Sequence, residues 1–461
     1  MKRRYLMGIA MLLAVLTLTS CNDFLDITPT GKIIAKTGKE YRALLTYEYK
    51  NFPEDRGLST LRSDEMTLTK AISSQDYDSY FDIWAWKDGE QQSTTASFGW
   101  RRYYHAIYIA NYIIEHQNSI TEATSDEINQ LVGEAYMMRA YCHFLLANLY
   151  AEPYTHCNPA TTRGIPLSLK ADVNAVLSCN SLEQVYQQVV NDLIEAKNHL
   201  TVDTWEEGFT YRFNKVSADA LLARVYLYSG DWQNALDAAK AVIEKHGALE
   251  DLNSSTTLPN YYKSVENIVS LEQVMTPGYV KIGLPNTAFV KKYRTGDKRK
   301  KLYFKAITAS AYNLTKFGNE GYRCSFRSAE AYLTAAEAAA NLAEDNAATT
   351  DNNLVVARKY LKDLMIKRYV AVKYKQFAAE LDDMQKDELL NTIYDERTSE
   401  FAFEGHRWFD LRRTTRQALN KSYKDKEGNV LNFTLDDNDS RYTLRFPTEA
   451  VEANPNIESW N

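Results

Sequence analysis

Apolar residues recur at intervals of three to four positions along most of the chain, a pattern that predicts a mainly α-helical protein. Stripes from Trp100 to Ile114 and from Leu131 to Leu149 predict two long helices. A capping box at Ser181 predicts the start of a third helix. The helical period fades from Leu249 to Arg327, where β-branched and aromatic residues predict short strands and long loops.

Two helix pairs carry small residues where tetratricopeptide-like repeats need close packing. In Lys215–Lys245, Ala239 falls at such a position and Gly230 lies in the turn. Ser328–Arg368 repeats the arrangement with a longer turn. The predicted fold is therefore a mainly α, tetratricopeptide-like helical-repeat scaffold with long loops and a small irregular insertion containing short strands.

The N-terminus has the organisation of an export signal. Met1-Lys-Arg-Arg supplies positive charge, and Leu6 to Leu18 form an apolar stretch too short to span a membrane. Leu18-Thr-Ser-Cys21 resembles the lipobox of bacterial lipoproteins. We expect residues 1–20 to be a signal peptide and Cys21 to be lipidated; an ordinary signal with a chance cysteine is the alternative.

Charge and cysteine content limit the possible binding partners, metal sites and disulfide bonds. The 461-residue chain has a net charge of −6, which does not suit non-specific nucleic-acid binding. The cysteines form no CxxC metal pattern, and pairing of Cys157 with Cys179 stays open. Tyrosine is abundant, with 32 residues, and its ring suits both packed helices and ligand-facing surfaces.

The segment from Asp395 to Arg413 concentrates charge at a predicted helix end. Gly405 can adopt the positive φ required just past a helix. Four arginines lie among Glu396, Glu400, Glu404 and Asp410, which predicts ion pairs that fix a corner of the fold. The alternative is an acid/base pair formed by Glu400 and Glu404. The candidate structural residues are Arg397, Glu400, Glu404, Gly405, His406, Arg407, Trp408, Asp410 and Arg412.

The residues from Glu396 to Arg413 resemble the C-terminal signature of the SusD/RagB family, outer-membrane lipoproteins of Bacteroidetes that bind glycans. Segments at Trp100–Asn111, Gly164–Leu167 and Arg441–Pro447 are also similar to family-typical sequence. The resemblance implies an N-terminal region at 21–245 and a C-terminal region at 246–461. The latter comprises an insertion at 249–327 and a part at 328–461 that holds helices and the signature.

This resemblance implies a non-catalytic, glycan-binding or nutrient-binding lipoprotein on the cell surface. Such a protein would be anchored in the outer membrane through Cys21. It would partner a SusC-like TonB-dependent outer-membrane barrel and take part in polysaccharide uptake. In the family, glycan contacts come from loops before the Trp100 helix and from the middle insertion.

Sugar rings are held by aromatic faces and by planar polar groups. Met66–Gln92 and Tyr261–Phe317 have that composition. If Trp84 and Trp86 lie on a strand, only one of them can face a ligand. The candidate ligand-binding residues are Arg62, Tyr80, Trp84, Trp86, Asp88, Tyr279, Tyr293 and Arg294.

No cofactor is expected, although a structural Ca²⁺ is conceivable. Asp76, Asp78 and Asp82 could hold it, and a solvated acidic loop is the alternative. Two further functional classes stay open, a surface glycoside hydrolase using Glu400 and Glu404 and a repeat adaptor for protein partners. The GxSxG, Walker, GxGxxG and HExxH motifs are absent from the sequence, which favours a protein that is not an enzyme.

Overall fold

The computed structural model describes residues 35–68, 74–89, 91–317, 320–425, 427–454 and 456–457. The predicted signal peptide and Cys21 lie outside these residues, so they stay predictions. Within them, no helix is both long and apolar enough to cross a membrane.

Helices dominate the chain. In the N-terminal half they are α1 Gly38–Lys50, α2 Asp55–Arg62, α3 Ser74–Trp84, α4 Trp100–His116, α5 Ser125–Tyr150, α6 Leu182–His199, α7 Lys215–Ser229 and α8 Trp232–His246. In the C-terminal half they are α9 Pro277–Ile282, α10 Thr287–Val290, α11 Lys298–Tyr303, α12 Ser328–Leu342, α13 Asn352–Met365, α14 Ala371–Asp383, α15 Lys386–Glu400, α16 Arg407–Arg413 and α17 Thr448–Ala453.

The strands are short and form two-stranded antiparallel sheets. They are β1 Met66–Leu68, β2 Arg163–Pro166, β3 Cys179–Ser181, β4 Asn267–Val269, β5 Gly283–Pro285, β6 Phe304–Thr308, β7 Ala311–Leu314, β8 Phe326–Arg327, β9 Leu419–Lys424 and β10 Val430–Leu435. The pairs are β1–β5, β2–β3, β4–β8, β6–β7 and β9–β10. Within the described residues, the strands therefore connect loops between helices and do not form a continuous sheet.

The predicted helix pairs are confirmed. α7 packs against α8, and α12 packs against both α8 and α13. Gly230 closes α7 with a φ of 75°. Ala239 and Ala335 are fully buried in these contacts, because a methyl side chain lets the helix backbones approach closely.

Two large apolar clusters fill the molecule. The main core runs from α1 to the C-terminal helices and contains residues from both sides of position 245, so the two predicted regions share it. A second cluster, the aromatic core, lies under the insertion and includes Phe81, Trp84, Tyr279 and Phe304. The predicted insertion with short strands is confirmed, and it also carries the short helices α9, α10 and α11.

Two local predictions were wrong. The stretch before the Trp100 helix does not consist of loops alone, because α3 occupies Ser74–Trp84. Helix α15 ends at Glu400, well before Gly405. The chain first turns at Phe403, which has a φ of 58°. Gly405, with a φ of 72°, is needed because a Cβ there would lie 2.7 Å from the Arg56 side chain.

Candidate functional site

The buried carboxylates of α15 form the centre of an ion-pair cluster, here called the arginine network. Glu400 is fully buried. Its Oε1 accepts hydrogen bonds from Arg327 Nη1 at 2.7 Å and from Arg368 Nη2 at 2.8 Å. Its Oε2 accepts from Arg368 Nε at 2.9 Å and from Arg299 Nη1 at 3.0 Å. Three guanidinium groups thus surround one carboxylate.

Glu404 belongs to the same network. Arg327 donates to it from Nε at 2.8 Å and from Nη2 at 3.0 Å, and Lys316 forms a further ion pair. Burial raises the pKa of Glu404, but Arg327 and Lys316 outweigh it and hold the pKa below its ordinary value. Burial likewise raises the pKa of Glu400, whereas Arg368 and Arg327 bring it well below the usual range. Both carboxylates are therefore ionised.

This geometry argues against the acid/base alternative. A glycosidase needs one carboxylic acid that is protonated near neutral pH, and it needs access for sugar and water. Glu400 and Glu404 meet neither requirement, since both are buried and surrounded by cations. Their partners Arg299, Arg327 and Arg368 lie outside the signature, so the predicted neutralisation within the segment was wrong for these two glutamates.

The remaining signature residues tie α16 to its surroundings. Asp410 accepts from Arg413 at 2.8 Å and from Arg397 at 3.3 Å. Arg407 binds Asp64 at 2.8 and 3.0 Å. These bonds agree with the expectation of a structural corner.

Arg412, Trp408 and His406 are buried in the same corner. Arg412 donates to the backbone carbonyls of Tyr442 at 2.5 Å and of Ala151 at 2.6 Å. The Trp408 ring stacks on Tyr442 with centroids 4.8 Å apart. Burial, reinforced by nearby arginines, lowers the pKa of His406 well below its ordinary value, so its imidazole stays neutral. No exposed reactive group arises in this corner among the described residues.

The two predicted tryptophans do not face a ligand. Trp84 and Trp86 are each only 1% exposed, and this part of the prediction was wrong. Their indole nitrogens donate to the carbonyls of Met66 at 3.0 Å and Arg62 at 2.9 Å. The Lys421 ammonium lies 3.9 Å from the Trp86 ring centroid. Both rings therefore pack the interior.

Arg62 and Asp88 bind each other, not a ligand. Two hydrogen bonds of 2.7 and 2.6 Å join their side chains, and Arg62 is completely buried. Tyr279 and Tyr293 are also buried, and the Tyr293 hydroxyl donates to the Ser399 carbonyl at 2.8 Å. Placing Arg62 and Tyr279 in a ligand site was wrong for the described conformation, because both side chains are buried, whereas Asp88 keeps partial exposure and Tyr293 lines a surface cavity.

Tyr80, Asp88 and Arg294 are the predicted ligand residues that keep partial exposure. Tyr80 meets the edge of Tyr279 with centroids 5.2 Å apart. The Arg294 guanidinium lies 5.0 Å from the Phe377 centroid. The structure does not bring Tyr80 and Arg294 together with the tryptophans at one surface.

The conceivable Ca²⁺ site stays a prediction, because the Asp76 side chain lies outside the described residues, and the conceivable disulfide is not formed in the described geometry. No group of three metal-ligating side chains gathers anywhere in the described ranges. Asp82 is buried and accepts from the Gln92 amide at 2.9 Å and from Thr95 Oγ1 at 2.8 Å. Cys157 and Cys179 are not joined to each other.

A surface cavity of about 550 Å³ has the accessible aromatic and polar side chains that the predicted ligand residues do not provide. We call it the tyrosine cavity. It lies between the end of α1, the loop 201–214 and the insertion. Its walls are formed by Thr46, Tyr49, Lys50, Gly208, Thr210, Tyr211, Tyr262, Ser270, Leu271, Gly321 and Arg323.

The tyrosines of this cavity are held in place. Tyr211 meets the buried Tyr49 edge to face with centroids 5.4 Å apart. The Tyr262 hydroxyl donates to Glu207 Oε1 at 2.9 Å. Arg323 donates to the Leu271 carbonyl at 3.0 Å. Half-buried rings fixed in this way present apolar surface beside hydrogen-bonding groups.

The loop 201–214 is itself aromatic. The Arg212 guanidinium lies 4.2 Å from the centroid of Phe209, 5.0 Å from that of Trp205 and 5.5 Å from that of Tyr211. On its far side, Trp205 and Arg212 line a second cavity of about 560 Å³. The loop thus forms a ridge between two cavities.

The sequence predicted the residues on one side of the tyrosine cavity. Tyr262 falls inside the predicted stretch Tyr261–Phe317, whereas the loop 201–214 was missed. The available signal was the dense aromatic sequence from Trp205 to Tyr211 around Gly208, in a segment without helical period.

Comparison with known proteins agrees with this architecture. A family described as starch-binding and associating with the outer membrane matches residues 23–227, and the SusD family matches residues 232–459. Together the two matches define a class of outer-membrane-associated proteins. The chain belongs to the SusD/RagB family.

Relatives come from Formosa agariphila. SusD-like protein P2 is 23% identical over 389 residues, which cover 70% of this chain and 72% of that protein. SusD-like protein P38 is 28% identical over 156 residues, which cover 33% of this chain and only 27% of P38.

Solved structures share the fold. A SusD superfamily protein from Bacteroides fragilis has a TM-score of 0.75 at 23% identity, covering 93% of this chain and 100% of that one. One from Bacteroides thetaiotaomicron has a TM-score of 0.73 at 21% identity, covering 92% and 99%. A laminarin-binding SusD-like protein has a TM-score of 0.61 at 18% identity, again covering 92% and 99%.

Proposed function

We propose that this protein is a non-catalytic lipoprotein of the outer-membrane surface that binds a glycan in the tyrosine cavity. The observation that carries this proposal is the pair of fixed, half-buried tyrosines, Tyr211 and Tyr262, in a cavity of about 550 Å³. Cavities of roughly 300–1,000 Å³ are typical of small-molecule sites in proteins.

The chemistry of the cavity suits a neutral sugar. A pyranose ring presents C–H groups on its faces and hydroxyls at its edge, so it needs aromatic surface and hydrogen-bonding groups side by side. Tyr211 and Tyr262 supply the first, and Thr46, Thr210 and Arg323 supply the second. Because the two rings are already held by Tyr49 and Glu207, little conformational entropy is lost on binding.

Family membership supports both the ligand class and the location. One matching family is described as starch-binding and associating with the outer membrane, and one structural neighbour binds laminarin. Lipidation of Cys21 would hold the protein at the membrane. A SusC-like TonB-dependent barrel would receive the ligand, with this chain acting as a hinged lid.

The alternatives have less support. Hydrolysis by Glu400 and Glu404 lacks a protonated acid and an open site. A repeat adaptor would present open helix faces, whereas the alanine-rich surfaces of α12 are buried against α8 and α13.

Calorimetry of the purified full chain in detergent, against laminarin and malto-oligosaccharides, tests this function. We expect heat with one class and a loss of about tenfold or more in affinity in Tyr211→Ala and Tyr262→Ala, since central aromatic contacts dominate such sites. Tyr47→Ala is the matched control, because Tyr47 is 54% exposed on α1 but does not line the cavity. Wild-type affinity in both cavity variants, or release of shorter sugars by the wild type, would contradict the proposal.

A further inference from the structure

A third cavity, on the side of the insertion that faces α14, is strongly basic. We call it the lysine cavity. It has a volume of about 490 Å³ and lies between the loop after Glu250, the segment 293–302 and Val370. Its lining is formed by Leu252, Ser255, Thr256, Tyr293, Arg294, Thr295, Gly296, Asp297, Lys298, Lys300, Lys301, Leu302 and Val370.

The positive charge of this cavity is not balanced from within. Lys298, Lys300 and Lys301 form no ion pair with any part of the chain that the structure describes. Arg294 has one distant partner, Glu380, at 3.9 Å. Four cations therefore line one concave surface, and bringing like charges together costs free energy unless an anion is bound.

The acidic residue of the lining does not neutralise the lysines. Asp297 is buried, and both of its oxygens accept hydrogen bonds from Arg299 at 2.7 to 3.1 Å. Arg299 also binds Glu396 and Glu400 in the arginine network. Arg299 thus neutralises Asp297 on the interior side of the segment 293–302, and the three lysines lie on the cavity side.

The shape indicates a discrete ligand. The walls combine apolar side chains, Leu252, Leu302 and Val370, with the hydroxyls of Ser255 and Thr256. A flat, fluid membrane surface cannot enter a concave site of this size, whereas a sugar chain offers C–H faces, hydroxyls and, when acidic, fixed anionic groups. Lysine ammonium groups act as point charges for sulfate or carboxylate, and the planar arginine fork can bind either group with two hydrogen bonds.

From this geometry we infer that the lysine cavity binds an acidic oligosaccharide through its sulfate ester or carboxylate groups. The site is separate from the tyrosine cavity and shares no lining residue with it. The protein would then hold an acidic part of a glycan here independently of a neutral part bound at Tyr211 and Tyr262.

The test measures binding of three probes to the full chain in detergent at about 50 mM NaCl: a heparin-derived hexasaccharide, hexagalacturonate and maltohexaose. We expect one or both acidic probes to bind. Their affinity should fall about tenfold or more in K298Q/K300Q/K301Q, and it should also fall when salt is raised to about 300 mM, because screening weakens exposed charge interactions. Stronger binding of the heparin hexasaccharide would indicate recognition of sulfate groups, and stronger binding of hexagalacturonate would indicate recognition of carboxylates.

Two controls separate this site from general charge and from the tyrosine cavity. K170Q/K281Q/K424Q removes the same charge from exposed lysines elsewhere and should leave binding unchanged. Tyr211→Ala should weaken neutral binding alone, so failure of either proposal is recognisable by itself. The inference is overturned if neither acidic probe binds at low salt or if the cavity variant binds them as the wild type does. Binding of phosphatidylglycerol vesicles without the oligosaccharides would equally overturn it.

Discussion

Glu65 shows how burial and hydrogen bonding set the properties of one side chain. It lies just after α2, fully buried, and its carboxylate accepts from the Phe403 amide at 2.6 Å and from Ser63 Oγ at 3.0 Å. Loss of solvation on burial raises its pKa to about 7. The adjacent Asp64 is bound by Arg407 and Lys292, which hold its pKa far below the ordinary value. Neighbouring carboxylates thus have opposite electrostatic environments.

This contrast predicts a pH-dependent effect of Glu65→Gln. Above pH 4.5 the unfolded chain loses the Glu65 proton, whereas the folded chain keeps it until about pH 7. The stability that the protonated form contributes is therefore lost as the pH rises from 4.5 to about 7. Relative to the wild type, Glu65→Gln should gain stability from pH 5 to pH 8, by up to roughly 3 kcal/mol. Urea unfolding at several pH values measures the difference.

Asp64→Asn is the matched control for this experiment. Because the pKa of Asp64 is lowered in the folded protein, protonation of Asp64 affects stability only at pH values below its ordinary pKa. Above about pH 5, Asp64 is ionised in both the folded and the unfolded state. The free-energy cost of Asp64→Asn should therefore vary less from pH 5 to pH 8 than that of Glu65→Gln, and the variation that remains should come from Glu65, whose pKa the Asp64 charge helps to raise. A pH-independent difference between wild type and Glu65→Gln would show that Glu65 is ionised in the folded protein.

At the scale of elements, close packing of the helix pairs depends on alanine. Ala239 on α8 is fully buried, and α8 packs on α12, where Ala335 and Ala338 are likewise buried. Periodicity could predict these helices because one apolar face recurs every turn. It could not predict α3, where aspartates and aromatic rings alternate without a clean apolar stripe.

Ala239→Leu should destabilise the protein by about 1–3 kcal/mol, because added methyl groups must displace well-packed neighbours. Ala238→Leu on the same helix is the control, since Ala238 lines an open surface groove of about 380 Å³ with room for a larger side chain. Equilibrium unfolding in urea gives both values. Equal stability of the two variants would mean that the α8–α12 contact tolerates a wider separation.

Across the whole molecule, the sequence predicted the family and the helical scaffold, but it assigned ligand contacts to tryptophans that the structure buries. Trp84 and Trp86 have side chains that suit sugar stacking, yet the same rings suit a core, and composition alone cannot distinguish these environments. The partners of Glu400 could not be predicted either, because Arg299, Arg327 and Arg368 are distant in sequence and the fold alone brings them together.

The proposed lipid anchor also concerns the protein as a whole. Cys21→Ser removes the thiol that lipidation requires, so we expect the variant to leave the membrane fraction when cells are fractionated, with glycan affinity retained. The mass of the mature wild-type chain should include acyl groups, and that of the variant should not. Membrane retention of Cys21→Ser without acylation would contradict a lipid anchor.

The bonds between the two ends of the chain have a consequence for biogenesis. Arg56 donates to the Glu404 carbonyl at 2.6 Å, Arg62 to the Arg441 carbonyl at 2.5 Å, and Lys421 to the Leu61 carbonyl at 2.7 Å. The segment 55–65 leaves the ribosome early, but these three partners are made last. A chain interrupted before residue 403 keeps Glu272 and Asp88, which bind Arg56 and Arg62, but it lacks the Glu404 and Arg441 carbonyls and the Lys421 ammonium. We therefore expect native closure to wait for complete synthesis, so that truncated products stay open to proteolysis.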